Sequence, residues 1–237
     1  MSRPLMVLIP GMLNTAAVWD GVRACLGDGA DVCIPDVAGS PSVSDMAQSA
    51  WAAIGEQGTD RPLLLCGFSM GGYVALELLR RFDPEPAGLV LLATSARGET
   101  EEGAAARLKA IAAMEKDYGR FVGNVADFST SPAHPRREQV KSRLADMAQE
   151  LGIQAAIQQT RAVRERRDAR DLLPQVRCPA LVACGRDDRV TPMPLSEEMA
   201  GLLPRARLRG IETAGHLVPL EQPAAVAGLL TEALQGW

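Results

Sequence analysis

The residues best suited to chemistry lie in the stretch "GFSMG", where an apolar, strand-like run meets a helix-like one. A strand that turns abruptly into a helix brings together the positions two before and two after its central residue. Gly67 and Gly71 occupy those positions, where side chains would collide with each other. Such a turn exposes the hydroxyl of Ser69 and directs the first N–H groups of the next helix toward it, where negative charge is stabilised. Ser69 is therefore a candidate nucleophile.

A serine nucleophile needs a base, and the chain has two histidines. His216 lies between the last strand-like run and the last helix-like run, which brings it to the same edge of a parallel sheet as Ser69. His134 lies between two prolines, in a part of the chain without strand patterns. We predict that His216 is the base and that His134 has a structural or incidental role.

A carboxylate after a strand would hold the imidazole of His216 in one tautomer and stabilise the imidazolium that forms. Asp187 and Asp188 both follow the apolar run at 180–185. The resulting chain order of Ser, Asp and His is the order of hydrolases that carry their serine on a strand-to-helix elbow. These residues alone do not distinguish Asp187 from Asp188.

Length and composition narrow the class of protein. A chain of 237 residues fits one large domain or a domain with an inserted lobe. The net charge of -4 predicts no nucleic-acid partner, and five cysteines without a CxxC pair predict neither a disulfide framework nor a zinc site. Because the N-terminus lacks a signal-peptide pattern and no run approaches the ~20 apolar residues of a membrane helix, we expect a cytoplasmic protein without a membrane partner. The oligomeric state stays open.

Short apolar runs alternate with helix-period segments along most of the chain. Four of these runs are continuously apolar, as strands covered on both faces are. The predicted strands are 5–9, 31–35, 62–67, 88–93, 180–185 and 206–211. The predicted helices are 16–26, 43–57, 70–82, 194–203 and 221–234. This alternation predicts an α/β fold, with a mostly parallel sheet of about six strands flanked by helices.

One interval, from residue 95 to residue 176, interrupts the alternation, because it shows helical periods and no strand. We predict a core made of residues 1–94 and 177–237 and a helical lid, inserted at 95–176, over the strand ends. An arginine-rich run at 160–171 lies within this interval. Its interleaved acids favour a solvated helix face over a site for an anionic substrate.

Four segments resemble motifs of the α/β-hydrolase fold superfamily, and the resemblance covers nearly the whole chain. They are "LIPGMLNTAAVWDGV" (oxyanion loop), "GFSMGG" (nucleophile elbow), "GRDDRVTP" (acid loop) and "AGHLVPLEQP" (histidine loop). The family's catalytic acid falls three residues after the glycine and four before the proline of the acid loop, which selects Asp188 over Asp187. The resemblance also implies an inserted helical lid.

The same resemblance implies that the backbone N–H groups of Met12 and Met70 stabilise an oxyanion, each typically by ~3 kcal/mol. Pro10 stands where the family commonly has histidine, but the donor is a main-chain group and need not be lost. Trp19, at the start of the helix after this loop, is a candidate to line the substrate pocket. Packing beneath the lid is an equal alternative for Trp19.

These features predict a serine hydrolase that cleaves a small carboxylic ester or lactone through an acyl-enzyme, without a metal or organic cofactor. The segment "LLATSARGETEE" resembles that of enol-lactonases. Hydrolysis of C–C bonds of the meta-cleavage type, and a cofactor-free lyase or perhydrolase, are alternatives. A ligand-binding receptor is disfavoured because all three triad residues are present.

Overall fold

A parallel sheet of six strands forms the centre of the computed structural model, which describes residues 3–58, 60–82, 84 and 86–235. In chain order the strands are β1 (Leu5–Ile9), β2 (Asp31–Cys33), β3 (Leu63–Phe68), β4 (Gly88–Leu92), β5 (Ala180–Gly185) and β6 (Ala206–Ile211). Across the sheet their order is β2-β1-β3-β4-β5-β6, and every neighbouring pair is parallel. The predicted α/β fold is confirmed.

Helices follow most of the strands, and an additional group is inserted between β4 and β5. They are α1 (Asp20–Cys25), α2 (Val43–Glu56), α3 (Met70–Phe82), α4 (Glu101–Lys116), α5 (Tyr118–Ser129), α6 (Arg137–Leu151), α7 (Ile153–Arg164), α8 (Met193–Leu202), α9 (Val218–Glu221) and α10 (Pro223–Gln235). Short 3-10 turns precede α1 and follow α7, at Ala16–Trp19 and Leu173–Gln175. Within the described residues, no helix has both the length and the apolar character required to cross a membrane.

The continuously apolar strands result from burial on both faces of the sheet. In β1, Met6 and Leu8 join a hydrophobic cluster with residues of α1 and α10, whereas Leu5, Val7 and Ile9 join a second cluster with residues of α2 and α3. Successive side chains of a strand point to opposite faces, so a strand covered on both faces has no polar positions. This packing explains why the sequence pattern located the strands.

The inserted helices α4 to α7 form what we call the helical insertion, residues 101–164. Asp117 caps the N-terminus of α5, where its carboxylate accepts a hydrogen bond from the N–H of Arg120. Gly152, at φ +79°, connects α6 to α7. The division into a core and a lid at residues 95 and 176 stays a prediction.

The arginine-rich run departs from its expected form because α7 ends at Arg164. Beyond that point the chain turns, and the side chain of Arg166 lies inward against that of Glu99, each 10% exposed. The predicted solvated helix face therefore does not extend over the whole run.

Candidate active site

Ser69 lies at the sharp turn between β3 and α3, in the left-handed backbone region at φ +52°. This conformation costs a non-glycine residue of order 1–3 kcal/mol unless its surroundings hold it. Three hydrogen bonds do so. The N–H of Ser69 donates to the carbonyl of Leu92 at 2.9 Å, and its carbonyl accepts from the N–H of Gly72 at 2.9 Å and the hydroxyl of Thr94 at 2.7 Å.

Both elbow glycines are required by close backbone approaches. A Cβ at position 67 would lie 2.6 Å from the Cα of Gly72 and against the carbonyl of Gly71. A Cβ at position 71 would meet the carbonyl of Ile9 and lie 2.8 Å from that of Pro10. The prediction that side chains at positions 67 and 71 would collide with each other was wrong for position 71. A side chain there would instead collide with the backbone at the end of β1.

The side chains of Ser69, His216 and Asp188 form one chain of hydrogen bonds. The Nε2 of His216 lies 2.9 Å from the Oγ of Ser69, and its Nδ1 lies 2.9 Å from the Oδ2 of Asp188. A carboxylate can only accept, so Nδ1 carries the proton and Nε2 of a neutral imidazole accepts from the serine hydroxyl. This tautomer is the one that a general base for Ser69 requires.

Asp188 is buried and fully hydrogen-bonded. Its Oδ1 accepts from the N–H groups of Val190 and Thr191 at 2.8 and 2.9 Å, and its Oδ2 accepts from the hydroxyl of Thr191 at 2.8 Å. Burial by itself raises the pKa of this carboxyl, but the nearby charge of His216 and the hydrogen bonds from His216 and Thr191 outweigh it. The pKa of Asp188 is therefore lowered, and the carboxylate stays ionised.

Asp187 points elsewhere. Its Oδ2 accepts from the hydroxyl of Ser131, in the loop between α5 and α6, at 2.5 Å. Its backbone N–H donates to the carbonyl of Ala214 at 2.9 Å. Of the two adjacent acids, Asp188 contacts His216, while Asp187 connects the acid loop to the helical insertion.

The loop after β1 brings the N–H of Met12 close to the elbow. A Cβ at Gly11 would lie 3.0 Å from the ring of Phe68 and 3.2 Å from the Cβ of Ser69, so the loop packs closely against the elbow. In the described part of the chain, the N–H of Met12 has no hydrogen-bond acceptor, although its carbonyl accepts from the side chain of Asn14 at 2.6 Å. Met70 begins α3, so its N–H has no acceptor within the helix. Both N–H groups are available to a ligand.

The next residue of this loop, Leu13, has a strained backbone at φ +63°. Its N–H donates to the Oε1 of Gln159 in α7 at 3.0 Å, and Gln159 is only 1% exposed. A helix of the insertion thus holds the loop that carries the Met12 N–H. The sequence reasoning missed Gln159, because one glutamine in "AAIQQTRAV" shows no sign of facing inward.

A cavity of about 630 Å³ opens above Ser69 and His216, between the sheet and the helical insertion. Its wall is mostly apolar, and α4, α5 and α6 contribute Met114, Phe121 and Leu144 to it. Trp19, a candidate to line the substrate pocket, does not line this cavity. Trp19 is fully buried and packs edge-on against Phe68, which itself lines the cavity. Its large ring supports the wall from behind.

A buried carboxylate, that of Glu221, fixes the loop that carries His216. It accepts from the N–H of Gly215 at 2.9 Å and from the N–H of Ser131 at 2.8 Å. Burial raises the pKa of Glu221, and these backbone hydrogen bonds lower it only in part, so the pKa stays above its usual value. Glu221 therefore joins the histidine loop to the loop between α5 and α6.

Two more hydrogen bonds connect these same loops. The N–H of His216 donates to the carbonyl of Ser129 at 2.7 Å. His134 is buried, and its Nε2 donates to the carbonyl of Glu221 at 2.8 Å. His134 thus has a contact with α9 and does not line the cavity.

Sequence reasoning also missed Thr191 and Glu221. The spacing of Thr191, three residues after Asp188, is typical of a turn closed by an aspartate side chain, and this signal could have identified it. Glu221 carries no such signal in "VPLEQP". Among the described residues, no group of three or more His, Cys, Asp or Glu side chains is placed to hold a metal ion.

Two relatives resemble this chain over nearly all of its length. The pimeloyl-[acyl-carrier protein] methyl ester esterase of Aromatoleum aromaticum is 30% identical, and the alignment covers 100% of both chains. The putative carbamate hydrolase RutD of Cronobacter sakazakii is 23% identical over 96% of this chain and 89% of its own.

Solved structures agree with the fold. A thermophilic esterase from Thermogutta terrifontis superposes with a TM-score of 0.84 at 26% identity, over 99% of this chain and 90% of that one. The enol-lactonase from Burkholderia xenovorans, at 20% identity and a TM-score of 0.86 over 99% and 92% of the two chains, supports the fold alone. A family model described as the alpha/beta hydrolase family matches residues 6–229. The chain therefore belongs to the alpha/beta hydrolase family.

Proposed function

We propose that this protein is a serine hydrolase that cleaves carboxylic esters through an acyl-enzyme formed on Ser69. One observation carries the proposal: the unbroken hydrogen-bond chain from Ser69 through His216 to Asp188 opens directly into an apolar cavity. The imidazole lies 2.9 Å from the serine hydroxyl on one side and 2.9 Å from the buried carboxylate on the other. This arrangement activates a serine for nucleophilic attack.

The first half-reaction transfers the acyl group. The Oγ of Ser69 attacks the ester carbonyl carbon while the Nε2 of His216 takes the hydroxyl proton, and the carboxylate of Asp188 stabilises the imidazolium. Charge develops on the former carbonyl oxygen, where the N–H groups of Met12 and Met70 can donate to it. As the intermediate collapses, His216 returns the proton to the alcohol, which leaves.

The second half-reaction releases the acid. A water molecule gives a proton to His216 and attacks the carbonyl carbon of the acyl-enzyme. As the bond from that carbon to the Oγ of Ser69 breaks, His216 returns the proton to Oγ, which releases the free acid and restores the Ser69 hydroxyl. Apart from that water molecule and the substrate, these steps use side chains and backbone N–H groups of this chain. The same steps would open a lactone, which is an internal ester.

The cavity and one relative support an acyl ester of a small alcohol as the substrate class. The mostly apolar wall, with Met114, Phe121 and Leu144, suits the carbon chain of an acyl group. The Aromatoleum aromaticum relative at 30% identity is an esterase for a pimeloyl-[acyl-carrier protein] methyl ester. We therefore favour a methyl or similarly small ester of an acyl chain.

The test combines active-site labelling with ester turnover. We expect the wild-type protein to react with a fluorophosphonate probe and to hydrolyse p-nitrophenyl esters of short and medium acyl chains. Ser69→Ala should abolish both while its thermal midpoint stays close to that of the wild type. Ser49→Ala, in α2 and away from the cavity, is the matched control and should retain both.

Two outcomes would contradict the proposal. Undiminished labelling of Ser69→Ala would mean that another residue is the nucleophile. Wild-type protein that is labelled but turns over no ester would point to one of the other reactions, C–C bond hydrolysis, a lyase or a perhydrolase, or to a binding protein.

A further inference from the structure

Arg107 is a cation in the wall of an otherwise mostly apolar cavity. It lies in α4, and of the described residues that line the cavity it has the one permanently charged side chain. A guanidinium at an apolar surface loses part of its hydration, so it needs partners for its N–H groups. Which partners Arg107 has therefore decides what the cavity can bind.

The carboxylate next to Arg107 is shared with a second arginine. The Nε of Arg107 donates to the Oε2 of Glu99 at 3.1 Å. Arg166 donates to the same Oε2 at 2.6 Å and to Oε1 at 3.3 Å. Burial alone raises the pKa of Glu99, but the hydrogen bonds and charges of Arg166 and Arg107 lower it below its usual value, so Glu99 is ionised. Two cations then face one anion, which leaves one positive charge uncompensated in this group.

The contacts of Arg166 show that the spare charge belongs to Arg107. Besides binding Glu99, Arg166 donates to the carbonyls of Arg97 and Val163 at 3.1 and 3.0 Å, and its guanidinium stacks over the ring of Tyr73 at 4.7 Å. All three of its guanidinium nitrogens are therefore engaged. In the described part of the chain, the two Nη groups of Arg107 make no hydrogen bond.

We propose that Arg107 binds a carboxylate carried by the substrate, through the two Nη groups that Glu99 leaves free. This inference rests on the proposed ester hydrolysis and extends it to substrate class. Glu99, which Arg166 holds in turn, fixes the guanidinium by its Nε, and a carboxylate matches the geometry of the remaining donors. The substrate class is then an ester with an apolar chain and one anionic group, bound across the cavity from Ser69 to Arg107.

Pairs of nearly isosteric substrates isolate the charge. One pair compares the monomethyl ester of a dicarboxylic acid with the methyl ester of the corresponding monoamide, over a series of chain lengths from succinate to suberate. A second pair places the carboxylate or amide on the alcohol, which shows which half of the substrate carries the group. For the best chain length we expect kcat/KM of the wild type to favour the carboxylate by roughly tenfold, the usual size of one hydrogen-bonded charge interaction.

Variants assign the preference to a residue. Arg107→Gln should reduce the ratio of the two kcat/KM values to near one, and Arg107→Lys should retain part of it. Lys109→Gln removes the same charge from an exposed position of the same helix that does not line the cavity, and its ratio and activity should match the wild type. Because each variant is compared by the ratio of its own two values, a general loss of activity cancels.

A wild-type ratio near one in both pairs, with ester turnover intact, would overturn the role of Arg107 and leave the proposed function standing. A preference that persists in Arg107→Gln would also overturn it. Absence of turnover with every ester, including the neutral esters that carry an amide in place of the carboxylate, would instead contradict the proposed function itself.

Discussion

At the scale of single residues, the two neighbouring acids Asp187 and Asp188 show how environment assigns different roles to one chemical group. Asp188 accepts from Val190 and Thr191 on one oxygen, and from Thr191 and His216 on the other. All its acceptor positions face donors, so the group functions only as a carboxylate. Asp187 accepts from the single hydroxyl of Ser131 and has no contact with the imidazole.

The variant pair Asp188→Asn and Asp187→Asn tests this difference. In either orientation the amide introduced at position 188 would turn its NH₂ toward a donor, either the backbone N–H pair or the Nδ1–H of His216. We expect kcat to fall by roughly a thousandfold or more, because the imidazole loses the tautomer that Ser69 needs. Asp187→Asn can still accept from Ser131, and we expect a severalfold change at most. Steady-state ester hydrolysis measures both, and equal losses would contradict the assignment of Asp188.

At the scale of secondary-structure elements, the helical insertion takes part in building the site that it covers. Gln159 of α7 holds the loop of Met12, and the loop between α5 and α6 contacts the acid loop, the histidine loop and α9. These bonds hold the proposed oxyanion donor and the proposed base from the same side. A displacement of the insertion would therefore disturb both groups.

Gln159→Met tests the first of these connections, because methionine has a similar length but accepts hydrogen bonds weakly. The strained Leu13 would lose the partner of its buried N–H, at a cost of about 1–3 kcal/mol in the free energy of unfolding. With the Met12 N–H less well positioned, we expect kcat to fall roughly tenfold while KM changes little. Affinity for a boronic-acid transition-state analogue should fall in parallel with kcat.

The same substitution at an exposed position of α7, Gln154→Met, is the matched control and should leave all three quantities unchanged. If Gln159→Met lowered the stability but left kcat and analogue binding at wild-type values, the residue would support the fold only.

The elements themselves were largely predictable, and the reasons are physical. Strands covered on both faces must be continuously apolar, so β1, β3, β4 and β5 were recognisable by composition. The triad residues follow turns whose spacing is restricted by backbone geometry. In contrast, Gln159 and Glu221 are single polar residues whose burial depends on which distant segment packs above them. The neighbouring sequence does not indicate which segment that is. The end of α7 before Arg166 could not be predicted for the same reason, because Glu99, the partner of Arg166, lies far away in the chain.

At the scale of the whole molecule, the helical insertion and the sheet share one hydrophobic core. Met114, Val122 and Leu144 of the insertion belong to the same buried cluster as Leu92 and Phe68 of the sheet. An ion pair between Arg143 and Asp20, at 2.7 Å, connects α6 to α1. Because this cluster is buried only when the two parts pack together, the division predicted at residues 95 and 176 should not correspond to two independently stable units.

We therefore expect a single cooperative unfolding transition. Far-UV circular dichroism reports helices of both parts, whereas all three tryptophans, at positions 19, 51 and 237, lie outside the insertion in the sequence, so fluorescence reports the other part. The two signals should give the same urea midpoint, and the calorimetric and van 't Hoff enthalpies should agree.

Met147→Ala empties a buried position of α6 that does not line the cavity. It should therefore lower the free energy of unfolding by about 2–5 kcal/mol and shift both midpoints equally. Asp146→Ala, at the exposed neighbouring position, should shift neither by more than the ~0.5 kcal/mol usual for surface positions. If Met147→Ala shifted the dichroism midpoint and left the tryptophan midpoint in place, the insertion would unfold on its own. The proposed catalytic groups that it holds would then be disordered before the sheet unfolds.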